Sequence, residues 1–148
     1  MNRRTMLKTS TAALLPLTLG RALLAETIAP DANANITADT VYEFRVYHLN
    51  EGKLPLILDR FRTKELKIFT RVGMHNVAFW VPTEDPLLGQ TLIYMLRHDS
   101  REAARTSWAK FKVDPEWVAL KAETEKDGTF VTKSESTFMK LTDFSPQI

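Results

Sequence analysis

Val41-Tyr42-Glu43-Phe44-Arg45-Val46-Tyr47-His48-Leu49, then Asn50-Glu51-Gly52, then Leu54-Pro55 at the head of a long apolar-striped segment, is the run that decides the fold. Its first nine residues alternate. Tyr42, Phe44, Val46 and His48 fall on one side, and Glu43, Arg45, Tyr47 and Leu49 on the other, a period of two in β-branched and aromatic residues that predicts a strand. Asn50-Glu51-Gly52 supplies turn chemistry, and Pro55 sits where the first turn of a helix tolerates it. From Leu54 to Val72 the period changes: Leu54, Ile57, Leu58, Phe61, Ile68, Phe69 and Val72 recur at three-four spacing. Arg71 and then Gly73 give the stop. A strand that passes straight into an amphipathic helix is the first half of a two-layer α+β unit.

The rest of the chain repeats the theme. His75 to Val81 reads as a second strand closed by Pro82, and the loop to Gln90 leads to a third over Thr91 to Arg97. Asp99 with Glu102 fits a capping box, after which Ala103, Ala104, Ser107, Trp108 and Phe111 form one helical face. Asp114-Pro115 starts a short helix through Trp117 and Leu120, ended by Gly128, and Ser134 to Leu141 is the last strand. The order βαββαβ is the ferredoxin-like plan, an antiparallel sheet with helices on one face only. Its other face needs a cover. An uncovered apolar sheet face is larger than monomers usually expose, so a homodimer with two sheets facing each other is expected, a dimeric α/β barrel.

Outward from the fold, the N-terminus reads as an address. Arg3-Arg4, an apolar run to Leu19 and the small-residue exit ending at Ala25 describe a removable export segment of the twin-arginine type, over residues 1–25. The expected location is therefore outside the cytoplasm, periplasmic or extracytoplasmic. Ala32-Asn33-Ala34 is a second candidate cut, and an uncleaved anchor is the alternative, the only case in which a membrane is a partner. Residues 26–40 lack apolar periodicity and read as a flexible linker, 41–142 as the domain and 143–148 as a tail. Removing the signal takes Arg3, Arg4, Lys8 and Arg21 and no acidic side chain from the 20 basic and 18 acidic ones, which leaves a slightly acidic protein. The pI near 8.9 thus belongs to the address, and it gives no ground for a nucleic-acid partner. The chain has no cysteine, so disulfides, thiolate catalysis and thiolate metal sites are excluded.

Tyr42-Glu43-Phe44-Arg45-Val46-Tyr47, Gly52-Lys53-Leu54-Pro55, Phe79-Trp80, Arg97-His98-Asp99-Ser100 with Ala103-Ala104, and Asp114-Pro115-Glu116-Trp117 together resemble the NIPSNAP domain. The resemblance runs over roughly Val41 to Leu141. It implies a dimeric α/β barrel of the ferredoxin-like type, a superfamily that includes cofactor-free oxygenases, small-molecule-binding modules and haem enzymes.

With the aliphatic side of each strand turned to the helices, the pleat sends the opposite set into the space between the two sheets: Glu43, Arg45 and Tyr47, Trp80, then Tyr94 and His98. As a ligand-binding set, Arg45 holds an anionic or carbonyl oxygen, Tyr47 and Tyr94 donate hydrogen bonds, Trp80 is an apolar wall and His98 is the candidate catalytic proton carrier. As a packing set, Glu43 pairs with Arg45 or with an arginine of a second copy, and the aromatics fill the interface. Lys64 and Glu65 interrupt the stripe of the first helix, either at a solvent edge or beside a polar cavity. Trp108 and Trp117 read as core. His48, His75 and His98 are the only histidines and none has a metal-ligand spacing, so no metal site is expected, and no cofactor. The leading expectation is an exported homodimeric module that binds a small organic ligand or another protein. The alternative is a cofactor-independent oxygenase or isomerase acting on an aromatic or carbonyl compound, with His98 as base.

Overall fold

The alternating run Val41–Leu49 forms β1, which pairs on one side with β3 (Thr91–His98) and on the other with β4 (Val131–Met139). β2 (His75–Trp80) pairs with β3, so the sheet order is β2-β3-β1-β4 with all neighbours antiparallel. This is the ferredoxin-like arrangement of an α+β fold. The computed structural model describes residues 36–146 and 148. The expected export signal, and the linker up to residue 35, lie outside the described residues. The last linker residues form a turn into β1, in which the Thr40 backbone N–H donates to the Thr37 carbonyl and the Thr37 N–H to the Thr40 hydroxyl.

The long first helix is three segments in one: α1 (Leu54–Arg60), a π-helical stretch (Phe61–Glu65) and α2 (Leu66–Arg71). Gly73 ends it at a φ of 95°, the left-handed region that favours glycine, and a Cβ there would also meet Ser107 Oγ at a tight 3.3 Å. α3 (Arg101–Val113) begins one residue later than the capping box predicts. Ser100 is the N-cap, its hydroxyl accepting from the Ala103 N–H at 3.0 Å. α4 (Pro115–Thr124) starts as the sequence predicts, with Asp114 accepting from the Glu116 and Trp117 N–H groups. It stops at Thr124, before Gly128. β4 starts at Val131, three residues ahead of the expected Ser134, and ends at Met139, because its register follows β1 down to Leu49.

At β1 and β3 the helices cover the side of the sheet opposite to the expected one, whereas in β2 Phe79 meets the helices and Trp80 turns away from them, as expected. Tyr47 and Tyr94 meet the Phe61 ring edge-on, at 6.5 and 5.5 Å between centroids, and Tyr94 stacks on Phe69 at 6.2 Å and on Phe79 at 5.6 Å. Glu43, Arg45 and Tyr47 therefore lie under the helices together with Leu92, Tyr94, Leu96 and His98, not in a chamber between two sheets. Both sets of alternating residues in β1 mix apolar and polar side chains, so the strand pattern alone fixes the pleat but not which side meets the helices. What decides it is the match of the aromatic stripe of the first helix to the tyrosines. The open face carries Phe44, Val46, Ile93 and Met95, with Trp80 at its edge, 46 % exposed.

Candidate functional site

On the helix-covered face, register places Phe138, Ser136 and Ser134 of β4 beside Glu43, Arg45 and Tyr47 of β1. The two serines are small, and the layer of α3 and α4 above them does not close down. Between them is a cleft of about 790 Å³. Tyr47, Trp108, Phe111, Trp117 and Phe138 give it aromatic surface. Six cationic side chains line it against two carboxylates, Glu43 and Glu125.

The floor is organised by Glu43, 1 % exposed. One carboxylate oxygen accepts from His98 Nε2 at 3.0 Å and Trp108 Nε1 at 2.7 Å; the other accepts from Ser136 Oγ at 2.7 Å and Arg45 NH1 at 2.5 Å. Burial alone would raise this carboxyl, yet the donors from His98, Ser136 and Trp108 and the Arg45 charge outweigh it and hold Glu43 down at about 2. A carboxylate can only accept, so His98 Nε2 carries a proton. His98 Nδ1 is buried with no hydrogen-bond partner. Arg45 gives a second hydrogen bond to Ser134 Oγ at 2.9 Å, and its guanidinium lies 4.4 Å from the Trp108 ring centroid and 5.4 Å from that of Tyr47.

A second buried charge cluster closes the other end. Arg60 is 3 % exposed, donates from Nε to Glu65 at 3.0 Å and from NH1 to Glu125 at 2.7 Å, and lies over the Trp117 and Phe130 rings. The π-helical stretch makes the first contact natural, because its i→i+5 hydrogen bonding brings Glu65 over the side of the helix that holds Arg60. Of the two residues that interrupt the apolar stripe, Lys64 stays in solvent and Glu65 turns inward. Burial pushes the Glu65 carboxyl up to about 7 against the pull of Arg60, since that one guanidinium is shared with Glu125.

Of the residues singled out as a ligand-binding set, Arg45 and Tyr47 line the cleft. Tyr94 and His98 sit behind it, each 0 % exposed, and Trp80 is on the opposite face of the sheet. As a proton carrier His98 has no contact with the cleft: Glu43 stands between them, and all four donors already engage that carboxylate. Sequence reasoning missed Trp108, Phe138 and the cations of α3. One signal for them was available, since Arg101, Arg105, Trp108 and Lys112 recur at helical spacing and mark a face that is basic and aromatic rather than apolar. Among the described residues, no group of three histidine, aspartate or glutamate side chains is placed to hold a metal ion. What the arrangement can do is stack a flat apolar body on tryptophan and tyrosine and compensate negative charge at its rim.

The NIPSNAP family model matches residues 42–146 of the chain. No curated protein matches it. Among solved structures it is similar to a NIPSNAP family protein from Agrobacterium tumefaciens, with 23% identity over 72% of this chain and 97% of that one and a TM-score of 0.62. It is similar also to a NIPSNAP domain protein from Burkholderia xenovorans, with 20% identity over 72% of this chain and 99% of that one and a TM-score of 0.61. The fold extends to SnoaB, a cofactor-independent oxygenase from Streptomyces nogalater, with 15% identity over 74% of this chain and all of that one and a TM-score of 0.50.

Proposed function

The chain belongs to the NIPSNAP family, and from that premise we propose that it is an exported homodimeric module, each protomer of which holds a small organic ligand in the cleft between β4 and the helices α3 and α4. The observation that carries this reading is the cleft itself. It is large enough for a drug-sized molecule, it is walled by aromatic rings, and the charged groups on its floor are fixed in place by one another before any ligand arrives. Export rests on the Arg3-Arg4 signal in the sequence. The homodimer rests on the open sheet face, whose Phe44, Val46, Ile93 and Met95 suit burial against a second copy of themselves.

Anilinonaphthalene sulfonate, a flat probe whose fluorescence rises in apolar sites, tests the cleft. One probe should bind per protomer with saturation. Ser134→Trp, which fills the cleft from β4, should abolish binding, and Met95→Glu on the open face should leave it intact. Binding that survives Ser134→Trp would refute the reading.

A second reading, a cofactor-independent oxygenase or isomerase, draws on the likeness of fold to SnoaB. His98 does not suit the role of base, for the reason of access already given. An activity of this kind would have to use Arg45 and Tyr47, the two expected residues that border the cleft, and turnover of a phenolic or carbonyl substrate that is lost in Tyr47→Phe would favour it.

A further inference from the structure

The charges around the cleft do not balance, and the imbalance has a position. Arg45 has Glu43, and Arg60 has Glu65 and Glu125. Arg105 pairs with Glu102 and Lys121 with Glu125. Two lining cations, Arg101 and Lys112, have no carboxylate within salt-bridge distance among the described residues. They belong to one face of α3, with Arg105 and Trp108 between them, and eleven residues of α-helix set them about 16 Å apart along the cleft. Arg101 is the first residue of α3, at the positive end of the helix, where a cation is disfavoured unless an anion answers it. Its guanidinium is also held: it lies 3.4 Å from the centroid of Phe138, flat against the aromatic wall at the mouth. The result is a fixed, uncompensated guanidinium beside an aromatic surface.

Building on the reading of the cleft as a ligand site, we infer that its ligand is an aromatic or conjugated organic acid, the flat body lying along Trp108 and Tyr47 and the acid group meeting Arg101 at the mouth. A guanidinium matches a carboxylate or sulfonate with two parallel N–H donors, and its stacking on Phe138 removes part of the entropy cost of ordering it. Lys112, at the far end of the stripe, favours acids with a second polar end.

The test compares two probes of the same shape, anilinonaphthalene sulfonate and its uncharged parent N-phenyl-naphthylamine, on the full chain. In the wild-type protein the sulfonate should bind about tenfold more tightly than the neutral probe, the effect of one charge-assisted contact. Arg101→Gln should remove that difference by weakening the sulfonate alone, and rising salt should narrow it. Equal affinity of the two probes, or an equal loss of both in Arg101→Gln, overturns the acid assignment. If both probes are still excluded by Ser134→Trp, the cleft stands as a site for neutral ligands. If neither is excluded, the cleft reading itself fails. Ala109→Trp, which fills the same space from the exposed face of α3, serves where Ser134→Trp does not fold.

Discussion

Glu43 ties four elements together, its donors coming from β1, β3, β4 and α3. Its carboxyl titrates near 2 in the folded protein against 4.5 in a free chain. A group whose folded pKa is depressed adds stability above its unfolded value and loses it as pH falls, so Glu43 contributes about 3 kcal/mol at neutral pH, lost progressively between pH 4.5 and 2. Glu43→Gln should lower the unfolding free energy by a similar amount at pH 7, measured by urea denaturation, and the gap between variant and wild type should close below pH 4.5. A gap independent of pH would mean that the carboxylate charge is not what the donors serve. At this scale the sequence was partly legible: Glu43 and Arg45 are paired as the alternation suggested, but the Trp108 indole and the Ser136 hydroxyl come from elements far along the chain, and only the assembled register brings them together.

Among the elements, the π-helical stretch has the clearest consequence. Glu65 faces inward there with a carboxyl raised to about 7, above its unfolded value of 4.5. Its contribution is therefore full below pH 4.5 and is lost as pH rises through 7, the opposite sign to Glu43. Stability should climb from pH 2 to 4.5 and decline from there toward 7, and Glu65→Gln should flatten the decline while leaving the climb; thermal melts across that range read both limbs. The start of α3 offers a second check. Ser100→Ala should cost about 1 kcal/mol, since Ser100 is the cap, whereas Asp99→Ala should cost far less. The number, type and order of elements were legible in hydrophobic period and capping residues. The face that β1 and β3 present to the helices was not, because each side of β1 mixes apolar and polar residues and a pleat read one way or the other fits the same pattern, whereas β2 was read correctly, Phe79 toward the helices and Trp80 away. The π-stretch left only an indirect mark, the Lys64-Glu65 break in an otherwise regular stripe.

At the scale of the whole molecule, the two faces of the sheet differ: the open face carries Phe44, Val46, Ile93 and Met95, which the proposed homodimer would bury, and the covered face holds the cleft. Met95→Glu should convert dimer to monomer in light scattering at working concentration without changing probe affinity, since no lining residue lies on that face. A monomeric wild type would remove the dimer and leave the cleft untouched. The chain's three tryptophans allow the division to be observed directly. Trp108 and Trp117 line the cleft, and Trp80 lies on the far side of the sheet. Titration with anilinonaphthalene sulfonate, followed through the three indole N–H resonances by nuclear magnetic resonance, should shift those of Trp108 and Trp117 and leave that of Trp80 in place. A shift confined to Trp80 would put the ligand between the sheets and contradict the account.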